Sequence, residues 1–336
     1  MRKILIINTG GTFSSVEGEG GLAPGISGEQ IIDVIDPHIE GCELEIEDYC
    51  SLDSANIVPD DWVQISRKIN QSANLCDGVV IIHGTDVMAY TAAMLSFMLL
   101  NVSIPVVLTG SQLPLFAPLS DAVDNCQCAI HMALSGKKGV YVVFNRKIML
   151  GCRTSKVRTV SFDAFESINY PQVGAFHALG MQLDEEALPR QSKSAVFQDA
   201  YSDRIAVLKV FPGLDPDIFS YLYEKGYEGV FIEGFGLGGV PFMKNNLLKE
   251  IEKASDMGMS ILVGSQCRYE GSNLNIYETG QRVKACGGIP VYDMTQEAVV
   301  AKLMWCLGQT KERTEIQRLF HTNLTNEITL KRRNAL

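Results

Sequence analysis

Short β-rich runs bounded by polar turns recur through the first half of the chain, at residues 3–7, 43–49, 78–83, 105–109 and 139–145. In the first of them Ile4 to Ile7 present apolar side chains on both alternating faces, the pattern of a strand covered by helices on each side. Between the runs, apolar positions return at helical spacing, most clearly over residues 60–75 and 87–100. Strands that alternate with helices predict a parallel, doubly wound sheet, whose ligand sites lie outside the carboxyl ends of the strands.

The alternation lapses around Asp184-Glu185-Glu186, Pro189 and the polar residues 191–194. Residues 186–203 are therefore the expected linker between an N-terminal domain, 1–185, and a C-terminal domain, 204–336. A second alternation follows: strands over 205–211, 229–233 and 260–263, helices over 215–225 and 244–257, then two carboxyl-terminal helices. The fold class is α/β, with two α/β domains, the second smaller and built on its own parallel sheet.

Composition narrows the function classes. A chain of 336 residues exceeds the size at which one core stops growing, which favours two domains. Its formal charge of −10 offers no clustered cation for a polyanion, so no nucleic-acid partner is expected. No apolar run approaches the roughly 20 residues that span a bilayer, so no membrane partner is expected either. The apolar stretch at the amino terminus is too short for a secretory leader, and nine cysteines lack metal-ribbon spacing. Free thiols in a reducing compartment, and so a cytoplasmic location, are the expectation.

Three polar strings stand where chemistry is expected. Thr9-Gly10-Gly11-Thr12 follows the first strand, and its glycines let the backbone approach a ligand and leave the Thr12 hydroxyl exposed. His83-Gly84-Thr85-Asp86 ends the strand at 78–83 and opens a helix. Arg153-Thr154-Ser155-Lys156 comes after the strand at 139–145. Taken singly, these are a turn, a helix N-cap and a solvated lysine. Taken together, two hydroxyls, a carboxylate and an ammonium at one sheet edge form the nucleophile, base and orienting group of hydroxyl activation. In that arrangement Asp86 is expected to be buried and to need the Lys156 charge.

These segments resemble the bacterial type I, cytoplasmic, asparaginases. Met88-Ala89-Tyr90-Thr91-Ala92, Thr109-Gly110-Ser111-Gln112 and Phe162-Asp163-Ala164-Phe165 extend the similarity over nearly the whole chain. The resemblance implies hydrolysis of L-asparagine to aspartate and ammonia, without cofactor or metal. It makes Thr12 the nucleophile, with Thr85, Asp86 and Lys156 activating a hydroxyl or water and binding the α-amino group. It places Ser54, with Asp53 beside it, among the substrate contacts together with Gly11, Ala55, Thr85 and Asp86. It further implies a left-handed crossover in the first domain, an exception to the usual handedness. Assembly as a homodimer or homotetramer, with a neighbour's second domain closing the site, is also implied.

The chain departs from the pattern at Gly20-Gly21-Leu22-Ala23-Pro24, where Leu22 stands in place of a tyrosine that helps to activate the nucleophile. A second departure concerns an effector site resembled by Ser265-Gln266-Cys267, which in the family also uses an arginine. Glu233 occupies that place, so simple hyperbolic kinetics are expected.

Other readings compete. No G-x-S-x-G pentapeptide marks a serine hydrolase, and His38, His83, His131, His177 and His321 are too scattered for a zinc site, leaving His83 a structural residue. Gly234 to Gly239 satisfies G-x-G-x-x-G after a strand, but the polar Lys244-Asn245-Asn246 delays the helix and no ribose-binding acid follows. An amino-acid-binding relative without turnover would not need Thr12, Thr85, Asp86 and Lys156 together. The amidase subunit of a tRNA-dependent amidotransferase, which shares an asparaginase-like domain, is the remaining alternative.

Overall fold

The structure, a computed structural model, describes residues 1–18, 21–35, 41–189 and 194–329, without the side chains of residues 22–24. His38 and residues 190–193 of the expected linker lie outside the described residues. The chain forms two compact units, Met1–Asp199 and Ala200–Leu336.

The first unit is organised by an eight-stranded sheet. Its strands are β1 (Arg2–Gly10), β2 (Cys42–Leu52), β3 (Gly78–Ile82), β4 (Pro105–Thr109), β5 (Gly139–Phe144), β6 (Lys147–Leu150), β7 (Gly174–His177) and β8 (Gly180–Leu183). Their spatial order is β8-β7-β6-β5-β4-β3-β1-β2. From β5 to β2 all neighbours are parallel, and β3, β4 and β5 are buried along their whole lengths, as strands covered on both faces must be. The other edge is antiparallel, a departure from the purely parallel sheet that the alternation predicts.

Helices α1 (Gly28–Ile35), α2 (Pro59–Ser72), α3 (Met88–Met98) and α4 (Ala122–Ala133) fill the connections. Helix α2 begins one residue earlier than its polar pattern suggests, because Pro59 suits the first helical turn and Asp61 accepts the Val58 N–H at 2.9 Å. Every residue of α3 except Tyr90 is buried. The helix stops at Met98, and Leu99–Leu100 instead pairs as a short strand with Val196–Phe197, inside the expected linker.

Register positions the site. Asn8 on β1 pairs with Ile82 on β3, and Ile82 with Thr109 on β4. Three adjacent strands therefore leave the sheet in one row, and the turns that follow them begin at the same level. The core beneath consists of Ile7, Ile65, Ile81, Leu95, Leu108, Val142 and Phe165 with their neighbours.

The second unit has a four-stranded parallel sheet, β9 (Ile205–Lys209), β10 (Gly229–Gly234), β11 (Ser260–Ser265) and β12 (Ile289–Pro290), in that order. Helices α5 (Ile218–Glu224), α6 (Leu247–Asp256), α7 (Glu278–Ala285), α8 (Gln296–Gln309) and α9 (Arg313–Phe320) accompany it. Where two carboxyl-terminal helices are expected after β11, the chain forms α7 and the short β12 before α8 and α9. Leu247, Ile251, Ile232, Val263 and Val283 lie in its core. Lys302 on α8 is fully buried, and its ammonium donates to Glu327 at 2.5 Å and to the Thr322 carbonyl at 2.9 Å. Among the described residues no helix is long and apolar enough to cross a membrane.

Candidate active site

The turn after β1 is built by Asn8. Its side-chain oxygen accepts from Gly10 N at 3.1 Å and Ser14 Oγ at 2.9 Å, while its amide nitrogen donates to Asp48 on β2. Gly10 and Gly11 take φ of 93° and 76°, and Thr12 starts a short 3-10 turn. Among the described residues no protein group hydrogen-bonds the half-buried Thr12 hydroxyl.

The turn after β3 lies directly against this one. A Cβ placed on Gly11 would stand 2.3 Å from the Gly84 Cα, and one placed on Gly84 would stand 2.7 Å from Ser54 Oγ. Backbone thus packs on backbone, which only glycine permits. The third loop is the 3-10 turn Ser54–Asn56, capped by Asp53, whose carboxylate accepts from Ala55 N at 2.9 Å. Ser54 Oγ accepts from the Asp86 N–H at 3.3 Å and so joins the second and third loops.

Buried His83 supports the turn from below. Its Nδ1 lies 2.7 Å from the Gly84 carbonyl and its Nε2 lies 3.0 Å from Thr91 Oγ1, which accepts from Trp62 Nε1 at 2.9 Å. Because the carbonyl only accepts, Nδ1 carries the proton and the Thr91 hydroxyl donates to Nε2. Burial holds the imidazole pKa down to about 4, keeping it neutral. His83 is structural, as expected.

Lys156 arrives on the hairpin Thr154–Lys156/Phe165–Ser167. Its Nζ donates to Thr85 Oγ1 at 2.7 Å and to Asp86 Oδ1 at 2.6 Å. An ammonium has no acceptor capacity, so the Thr85 hydroxyl must aim its own proton elsewhere. Lys156 is only 17% exposed and is no solvated surface lysine, whereas Asp86 is 63% exposed. The expectation of a buried Asp86 is therefore corrected: its carboxylate stands at the rim, with water to solvate it. Nor does Asp86 cap α3, since the N-cap position falls on Val87.

These groups line a polar pocket of about 230 Å³ formed by Gly11, Thr12, Asp53, Ser54, Thr85, Asp86 and Lys156 together with Ser15, Gly84, Gln112 and Thr159. Of the residues expected from the sequence to act in catalysis or to contact substrate, Ala55 alone stands outside the lining. Ser15, Gln112 and Thr159 received no role there. Gln112 lies within a motif quoted for its resemblance, and Thr159 sits in a polar loop that no periodicity marks. Leu22 pairs with Glu17 through the backbone of the hairpin Ser15–Gly18/Gly21–Pro24, and its side chain lies outside what the structure describes.

A larger cleft of about 480 Å³ in the second unit is lined mainly by apolar side chains, among them Phe235, Leu237, Phe242, Met243 and Tyr277. Lys244, Tyr277 and Thr279 also line it, but no carboxylate joins them as Asp53 and Asp86 do in the first pocket. The glycine loop there closes on itself through Phe235 and Gly239, and α6 begins only at Leu247. The loop therefore opens no helix onto a pyrophosphate, and the dinucleotide reading falls.

Comparison with known proteins identifies the family. Residues 3–188 match the family described as Asparaginase, N-terminal, and residues 204–320 match the Glutaminase/Asparaginase C-terminal domain. The L-asparaginase of Thermococcus kodakarensis is 38% identical over 97% of this chain and 99% of its own. Its solved structure superposes with a TM-score of 0.93, covering 98% of this chain and all of that one. L-asparaginase I of Vibrio cholerae gives a TM-score of 0.86 at 29% identity, over 98% and 99% of the two chains. A glutamyl-tRNA(Gln) amidotransferase component from Pyrococcus abyssi is 35% identical over 97% of this chain but 77% of its own. The chain belongs to the asparaginase/glutaminase family.

Proposed function

We propose that the protein is an L-asparaginase, an amidohydrolase that converts L-asparagine to L-aspartate and ammonia. The observation that carries the reading is the meeting of Thr12, Thr85, Asp86 and Lys156 around one small polar pocket. A volume of about 230 Å³ falls below the roughly 300–1,000 Å³ typical of drug-sized ligands and suits a single amino acid.

In this reading Thr12 Oγ1 attacks the side-chain amide carbon and its proton passes to the leaving nitrogen, which departs as ammonia. Water then hydrolyses the acyl-threonine ester, activated by Thr85 with Lys156 holding the Thr85 oxygen. Asp86 at the rim receives the substrate's α-ammonium. Gly11, Asp53 and Ser54 shape the floor. Because the Thr12 hydroxyl has no protein partner among the described residues and Leu22 supplies no phenol, the substrate and its shell complete the activation of the nucleophile.

The type I, cytoplasmic subdivision belongs to the same proposal, supported by the motifs and by nine cysteines that form no disulfide. So does a homodimer or homotetramer whose neighbouring subunit covers the pocket. The exposed rim residues Asp53, Asp86 and Thr159 leave room for that cover. The division into domains at 186–203 is likewise part of the reading.

The test is ammonia release by the purified protein from asparagine and from glutamine, with trapping of the acyl-enzyme on Thr12. Turnover of asparagine with label on Thr12 supports the reading. Absence of release from either amide would sink it.

A further inference from the structure

Gln112 lines the pocket, yet the mechanism above leaves it without a task. It begins the loop after β4, and that loop is held firmly. The Asp121 carboxylate accepts from Gln112 N at 3.0 Å, Leu113 N at 3.1 Å and Asn125 Nδ2 at 2.9 Å. The Gln112 side-chain nitrogen donates to two backbone carbonyls, Thr159 O at 3.2 Å and Ser161 O at 2.9 Å. These belong to the loop of the hairpin that carries Lys156.

The two carbonyls fix the orientation of the amide. A flipped side chain would set Oε1 against two oxygens, so the nitrogen must face the hairpin and the oxygen must face away from it. Both N–H donors are then used, and among the described residues no protein group donates to Oε1. The side chain therefore offers the pocket a fixed, neutral acceptor.

An amino-acid amide brings two kinds of N–H donor, an α-ammonium and a neutral –NH₂. The ammonium gains most from a carboxylate, and Asp86 supplies one. Asp53 is engaged with Ala55 N, and Lys156 and the threonine hydroxyl protons are donors. The neutral –NH₂ is left to match the neutral acceptor. We propose that Gln112 is a specificity-determining residue: its nitrogen clamps the Lys156 hairpin, and its oxygen accepts from the substrate amide that leaves as ammonia.

One consequence concerns the product. Hydrolysis replaces –NH₂ by a carboxylate oxygen, which turns the contact into oxygen against oxygen. The same acceptor that holds asparagine then disfavours aspartate.

The proposal rests on the asparaginase reading, and the experiment separates the two. Wild type and Gln112→Met are compared on asparagine and on L-aspartate β-methyl ester, which offers no N–H at the leaving group. If the ester binds without turnover, its inhibition constant takes the place of KM. Loss of the clamp lowers activity on both substrates alike, whereas loss of the acceptor is felt by the amide alone. The expected result is a fall in kcat/KM about tenfold larger for asparagine than for the ester, the scale of one neutral hydrogen bond. Inhibition by aspartate should not weaken in the variant. Equal losses on amide and ester would reduce Gln112 to a clamp and overturn the proposal. A wild-type protein that releases no ammonia from asparagine would overturn the asparaginase reading and this proposal with it.

Discussion

Gly11 and Gly84 touch through their backbones, at a distance that leaves 2.3 Å between a Cβ on the first and the Cα of the second. The contact brings the Thr12 turn and the Thr85 turn within reach of one small molecule, because β1 and β3 end in the same row of the sheet.

Gly84→Ala would push a methyl group to 2.6 Å from Ser54 Cβ, so the Ser54 loop must retreat. Overpacking of this kind costs roughly 1–3 kcal/mol. The expected outcome is a lower denaturant midpoint with a loss of turnover much larger than that stability change alone produces. Wild-type kcat in the alanine variant would show that the Ser54 loop need not sit against the Gly84 turn.

Thr12→Ala, Thr85→Val and Lys156→Met should each lower kcat on the order of 10²-fold or more, because each removes a positioned group that no neighbour replaces. Stability should respond less. Lys156 is paired with a carboxylate that is 63% exposed, and such pairs contribute roughly 0–1 kcal/mol. Parallel measurements of kcat and of urea unfolding check both halves. Full activity in Lys156→Met would return that residue to a structural role.

The buried His83 gives the fold an acid limit. Its folded pKa of about 4 lies below the ordinary 6.5, so the unfolded chain takes up a proton first as pH falls. Stability from the neutral imidazole is complete above the unfolded value and is lost progressively from about pH 6.5 toward 4. The full effect is on the order of 3 kcal/mol. In His83→Gln the slope of unfolding free energy against pH should flatten across that window, read by denaturant titrations at several pH values. An unchanged slope would mean that His83 is not the group that titrates.

Much of this was legible in the residues, for a physical reason. Strands β1, β3, β4 and β5 are buried on both faces, so their apolar runs stand out, and the polar strings after them fall at the sheet edge. The antiparallel edge was not legible. Strand β6 returns from β5 through Asn145-Arg146, both at positive φ, where Arg146 occupies a position that usually announces itself as glycine. Its guanidinium pairs with Asp124, an interaction far apart in sequence. Strand β7 is half-exposed and shows no apolar run at all. Lys156 sits on a strand that reads as a polar string, and the exposure of Asp86 depends on loops that meet only in three dimensions. Gln112 acquires its clamp from carbonyls at residues 159 and 161, and backbone carbonyls leave no trace in a sequence.

The last expectation concerns the velocity curve. An effector amino acid binding near Ser265-Gln266-Cys267 would need a cation for its carboxylate, and the structure places buried Glu233 beside that segment, with Gln266 Nε2 donating to the Glu233 carbonyl at 3.0 Å. Burial pushes the Glu233 carboxyl above its ordinary range, while Lys209 and Arg268 pull it the other way. In neither protonation state does a carboxyl offer the paired N–H donors of a guanidinium. The remaining polar groups are also engaged: Ser265 Oγ donates to Gly236 O at 2.6 Å and accepts from Cys267 N at 3.0 Å. Cooperativity requires a ligand that distinguishes two states by its binding energy, and a carboxyl in the place of the guanidinium supplies little. Initial rates against asparagine concentration should therefore follow a hyperbola with a Hill coefficient of about one. A sigmoidal curve that becomes hyperbolic when Cys267 is replaced by tryptophan would show that another group holds the effector there.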